Sequence, residues 1–149
     1  MTEVQTLNQA IVEFSQEITI DAPPAEVFEG MVHRLTDGHR GGPPDLAPLR
    51  LELERKPGGR WFRNLGEDTG HLWGFVQSYR PPTLLEIFGP MFMSYPVSGH
   101  MIIRFEAADD GTRLSFRYSA FGLLQDDHRT GIKAGFASLL EDVKERAKA

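Results

Sequence analysis

The run Pro57-Gly58-Gly59-Arg60-Trp61-Phe62, followed closely by His71–Val76 and by Pro81-Pro82-Thr83-Leu84-Leu85, constrains this fold more than any other stretch. It reads as three strands in succession. A glycine turn leads into an aromatic strand, a longer strand carries an internal glycine, and a double proline stops it.

Periodicity extends that reading in both directions. Phe14, Ile18 and Ile20 alternate with Glu13, Ser15, Glu17 and Thr19, the pattern of a half-buried strand. Asp21-Ala22-Pro23-Pro24 ends it, and a short helix over Pro24–Met31 follows with proline in its first turn. The glycines and prolines between 32 and 48 predict a long irregular connection with at most one more helical turn. Leu49, Leu51 and Leu53 alternate with charged residues as another strand, and further strands are expected at 59–64, 70–79, 84–88, 98–107 and 112–121. Asp109-Asp110-Gly111 makes the last hairpin turn. From Asp126-Asp127 a long helix runs to the end, with Ile132, Phe136, Leu139, Leu140 and Val143 as its apolar stripe and Lys144, Arg146 and Lys148 in its last turns.

The fold class is therefore α+β: a curved antiparallel sheet of about seven strands wrapped around a long C-terminal helix. A curled sheet over one helix tends to leave an apolar pocket between them, the usual shape of a small-molecule site. At 149 residues the chain is expected to be one domain, with about residues 1–10 as an N-terminal extension.

Composition excludes several function classes. A net charge of −5, with scattered arginines, disfavours nucleic acid and anionic lipid as partners. No apolar run reaches the roughly 20 residues of a membrane span, and the first residues lack the pattern of a secretory signal, so a cytoplasmic location is expected. The absence of cysteine removes disulfides and thiol chemistry. Neither a metal nor a cofactor is expected.

Pro57–Phe62, Trp73-Gly74-Phe75-Val76, Pro81-Pro82 with Leu85, Gly111-Thr112-Arg113-Leu114 and Gly135-Phe136 occur together in this order. With Ile18–Pro23 and Val27-Phe28, the set resembles the SRPBCC (START-like, helix-grip) superfamily over residues 12–146, within it the branch named after the activator of the heat-shock-protein-90 ATPase. Three positions depart from that pattern. Phe136 stands where tryptophan is common, the strand after the double proline ends at Gly89 rather than an aromatic, and Tyr118 replaces a frequent histidine. The resemblance implies the helix-grip fold, while its members range from lipid carriers to cyclases, hydrolases and chaperone partners.

Strand register nominates the pocket lining. Phe116 and Tyr118 face inward with Leu114, as do Met101 and Ile103 with Phe105, and Leu85 with Ile87. On the long strand the family pattern places Leu72, Gly74 and Val76 inward and His71, Trp73 and Phe75 outward. Two outward aromatics predict a covering segment or a homodimer contact through Trp73 and Phe75, unless a bulge turns them back into the core. Met91, Met93 and Tyr95, in the irregular stretch between Pro90 and Pro96, are expected near the sheet's open end. Trp61 from the aromatic strand and Ile132, Phe136 and Leu140 from the last helix complete the candidate lining. Tyr118 offers a hydroxyl to a polar head, or else to a neighbouring carbonyl or water.

Catalytic patterns are weak. His33 and His39 fit no zinc spacing, and Asp37 is a turn residue. His71 and His100 would form an acid–base pair only if both turned inward, which their register opposes. His128 is expected to face solvent. Gly38–Gly42 lacks the lysine of a phosphate loop. Gly131 and Gly135 let the last helix approach the sheet or leave room beneath it, close approach being the default. The leading expectation is non-enzymatic binding of a small hydrophobic or lipid-like ligand. The alternatives are a polyketide cyclase or hydrolase acting on a hydrophobic substrate, with Tyr118 and His100 supplying proton chemistry, and a chaperone-associated or dimeric interaction module.

Overall fold

The computed structural model describes residues 10–37 and 50–147. Seven antiparallel strands form one sheet: β1 (Ile11–Ile20), β2 (Glu52–Leu53), β3 (Arg60–Gly66), β4 (Thr69–Arg80), β5 (Leu84–Gly89), β6 (Val97–Ala108) and β7 (Gly111–Gly122). Helix α1 (Pro24–Asp37) lies between β1 and β2, and α2 (Asp126–Ala147) closes the chain. The strand order is β1-β7-β6-β5-β4-β3-β2, so every neighbour except β1–β7 is consecutive in sequence. This is the expected α+β architecture, a curved sheet gripping a long C-terminal helix.

The β6–β7 pair carries the most regular register, from Val97 opposite Gly122 to Ala108 opposite Gly111. Its inner face places Met101, Ile103 and Phe105 against Tyr118, Phe116 and Leu114, all six almost fully buried. The Pro57–Gly59 turn shows why glycine is required. A β-carbon on Gly59 would stand 1.9 Å from the Glu54 carbonyl oxygen, and the Gly59 carbonyl accepts from Val76 N–H at 2.8 Å.

Helix α1 is longer than its sequence suggests, extending past Met31 to Asp37. Val27, Phe28, Met31, Val32 and Leu35 repeat at three- and four-residue spacing and are all buried, so packing carries the helix onward. His33 consequently lies on this helix, exposed, rather than in a connection. The breakers that begin at Gly38, together with His39 and Leu49, fall outside the described residues, as does most of the N-terminal extension. Leu51 is buried, but only Glu52 and Leu53 pair as β2.

Strand β4 departs from the expected register. Trp61 pairs with Gly74 while Phe62 pairs with Leu72, leaving Trp73 as the extra residue of a bulge. The bulge turns Trp73 inward, where it is 8% exposed, and leaves Leu72 43% exposed. Both assignments are thus corrected, since one inserted residue exchanges the faces of its neighbours. Trp73 is core and does not form a dimer surface. Phe75 does lie on the outer side, half-buried against Phe88 at 5.8 Å between ring centroids.

Candidate functional site

Inverting Trp73 brings the chain's two tryptophans together edge to face, with centroids 5.3 Å apart. The Trp61 indole N–H donates to the Leu35 carbonyl at 3.0 Å, satisfying one of the last carbonyls of α1, which have no partner within the helix. Between this pair, α1 and the inner side of α2 lies a cavity of about 210 Å³.

Of the residues nominated from sequence, Trp61, Met91, Tyr118, Ile132 and Phe136 line the cavity. Val76, Leu85, Ile87, Met101, Ile103, Phe116 and Leu140 are buried in the core away from its wall. Met93 is buried and Tyr95 half-buried in the strap between β5 and β6, again off the wall. Leu72 lies on the surface. The wall also contains Arg34, Leu35, Trp73, Phe92, Gly131, Gly135 and Leu139. The apolar spacing beyond Met31 was the sequence signal that would have found Leu35. Leu139 was already visible on the apolar stripe of α2.

Two features define the mouth. Phe92 in the strap is 47% exposed, and Gly131 and Gly135 on α2 are exposed although they line the cavity. A β-carbon added at either glycine meets nothing within 4 Å. The close approach expected of these glycines is therefore absent, and they leave open space. The strap is anchored by its backbone: Met91 adopts φ 59° and its N–H donates to the Trp73 carbonyl at 2.8 Å. A non-glycine residue in this region costs on the order of 1–3 kcal/mol, which the surrounding packing must hold. His128 is not simply solvent-facing. Its Nδ1 is 2.6 Å from the Tyr95 hydroxyl, and its ring stacks on Tyr95 at 5.3 Å and meets Phe92 edge-on at 5.7 Å.

Within an otherwise apolar wall, two side chains carry buried polar atoms without a hydrogen-bond partner among the described residues. Tyr118 is 1% exposed, and its hydroxyl has no hydrogen-bond partner among the described residues. Burial raises its pKa well above the ordinary phenol value, with a smaller contribution from Tyr95, so the hydroxyl stays protonated at neutral pH. Arg34 is 6% exposed and donates from Nε to Asp142 Oδ2 at 2.9 Å. Its Nη1 is buried with no partner among the described residues.

The histidine pair considered from sequence does not form. His71 lies opposite Arg63 in the β3–β4 hairpin. His100 lies opposite Phe88 and bonds Glu86 Oε2 at 2.8 Å on the outer face. Burial alone would raise the Glu86 pKa, but the Ser78 hydroxyl and the His100 ring together hold it below the ordinary carboxylate value. Among the described residues, no group of three or more histidines, aspartates or glutamates is placed to hold a metal ion. No described helix is long and apolar enough to cross a membrane.

No protein-family model matches the sequence, and no curated protein matches it either. Solved structures do match. A protein of unknown function from Staphylococcus aureus superposes with a TM-score of 0.65 at 14% identity, covering 93% of this chain and 94% of the other. Ara h 8.0201 gives a TM-score of 0.61 at 17% identity, covering 92% and 97%. The di-domain ARO/CYC protein StfQ of the steffimycin biosynthetic pathway gives 0.62 at 14% identity, covering 95% of this chain and 52% of that one. At such identities the likeness establishes the helix-grip fold, and the chemistry has to be argued from the cavity itself.

Proposed function

We propose that this chain is a binding protein for a small, largely apolar molecule held between the sheet and α2. The observation that carries this reading is Tyr118, a wall residue of a 210 Å³ cavity whose buried hydroxyl has no partner among the described residues. Leaving a buried polar group unsatisfied costs about 1–3 kcal/mol. A bound molecule with one acceptor oxygen would remove that cost, while its apolar body replaced water against Trp61, Trp73 and Phe136. The open space at Gly131 and Gly135 supplies an entry. Native mass spectrometry of the protein purified from its own host tests this. A co-purifying small molecule is expected for wild type and not for Gly135→Leu, and a bare chain in both would count against the proposal.

The same two donors support a second reading, an enzyme of the cyclase or hydrolase type, in line with the likeness to ARO/CYC proteins. A substrate carbonyl held by Tyr118 and Arg34 would be polarised by fixed donors in a dry site. Among the described residues no carboxylate or histidine side chain lines the cavity, so the proton acceptor such a reaction needs would come from water or the substrate. Binding is therefore the preferred reading. An interaction role, whether as a dimer or beside a chaperone as the activator branch would imply, loses Trp73 to the core and would have to draw on Phe75 and on exposed side chains such as Phe88, Phe121 and Leu123.

A further inference from the structure

We infer that the cavity takes a small aromatic carboxylate, with Arg34 holding the acid group and Tyr118 a second oxygen. This rests on reading the cavity as a ligand site. Size sets the first limit. An apolar cavity of about 150 Å³ accepts benzene, so 210 Å³ leaves room for one ring or a fused pair with small substituents. A long acyl chain does not fit that volume.

The wall sets the second limit. Trp61 and Trp73 meet edge to face at 5.3 Å, Phe92 is 6.2 Å from Trp73, and Phe136 is 4.6 Å from Tyr118. Such rings offer both faces and edges to a flat guest, the geometry that aromatic pairs prefer.

Charge sets the third. Arg34 is permanently charged and buried, with Nε engaged by Asp142 and Nη1 left without a partner among the described residues. The Asp142 side chain is 46% exposed and is not part of the cavity wall. Among the described residues no Asp, Glu or His side chain lines the cavity, so a cation finds no counter-charge there. The guanidinium fork matches a carboxylate. The Arg34 nitrogens can only donate, so the ligand has to bring an acceptor to them, and the Tyr118 hydroxyl, without a partner among the described residues, can donate to a second oxygen.

Isothermal titration with 1-naphthoate and 1-naphthamide, nearly equal in shape but different in charge, tests the inference. Wild type is expected to bind naphthoate about tenfold or more tightly than naphthamide. Arg34→Met should erase that preference while keeping naphthamide binding. Asp142→Asn, which keeps the guanidinium and removes its counter-charge, should widen it. Equal affinities in wild type, or a preference that survives Arg34→Met, would overturn the inference and leave the cavity reading intact. If Arg34→Met does not fold, Asp142→Asn decides, and an unchanged preference there also overturns it. Failure of wild type to bind either compound removes the cavity reading, and the inference with it.

Discussion

The Tyr118 hydroxyl rests directly over Gly99 of the neighbouring strand, where a β-carbon would stand 2.7 Å from its oxygen. The glycine makes the space in which the phenol lies flat on the sheet and leaves the cavity open above it. Gly99→Ala is therefore expected to push the ring toward the cavity and destabilise the fold by about 1–3 kcal/mol. Urea denaturation measures the cost. Combining it with Tyr118→Phe should recover part of the loss, and strict additivity of the two changes would contradict the contact.

Tyr118→Phe alone separates stability from binding. Removing an unsatisfied buried hydroxyl should stabilise the ligand-free protein by about 1 kcal/mol. The affinity for an oxygen-bearing guest should fall at the same time. Thermal melts with and without 1-naphthoate check both directions, and a destabilised ligand-free variant would mean the hydroxyl already has a partner.

Trp73 is expected to behave as a core residue. Trp73→Ala should cost about 3–5 kcal/mol, the range for deleting a buried aromatic. Sedimentation of the folded variant should match wild type. A stable variant with an altered oligomeric state would return Trp73 to the surface.

The sequence made some of these relationships readable and hid others for physical reasons. Strands β5, β6 and β7 alternate strictly, so Leu85, Ile87, Met101, Ile103, Phe116 and Tyr118 fall on the inner face by their spacing alone. The bulge at Trp73 breaks that rule, because nothing in the alternation marks where an extra residue enters, and Leu72 and Trp73 exchange faces. Arg34 was hidden by its own chemistry. A charged residue near a glycine-rich segment reads as surface, yet the apolar residues on either side of it carry α1 onward and bury it. The His128–Tyr95 contact joins positions 33 residues apart through a strap with no periodicity to read.

Acid should weaken the fold through Glu54 and Glu86. The Arg60 side chain and backbone N–H hold the Glu54 carboxyl at about 2, down from its ordinary value. With the folded pKa below the unfolded one, the contribution is complete above the ordinary carboxylate range and is lost as pH falls toward 2. Glu86 is shifted in the same direction and adds with the same sign. Carboxyl-carbon NMR titration should show Glu54 ionised well below pH 4. A Glu54 midpoint at the ordinary value would refute the assignment.

Gly135→Ala should stabilise α2 by about 1 kcal/mol, since alanine is the better helix former and its methyl enters open space. Larger residues at the same two positions should close the mouth without disturbing the core. That contrast gives the most direct test of the cavity as a binding site. Trp61 and Trp73 are the chain's only tryptophans and both line the cavity, so emission excited selectively from tryptophan reports on it. Titration with cyclohexanol, transparent at the excitation wavelength, should give a saturable blue shift in wild type and none in the Gly131→Leu/Gly135→Leu variant. An absent shift in wild type, or an identical one in the blocked variant, would contradict a ligand site between the sheet and α2.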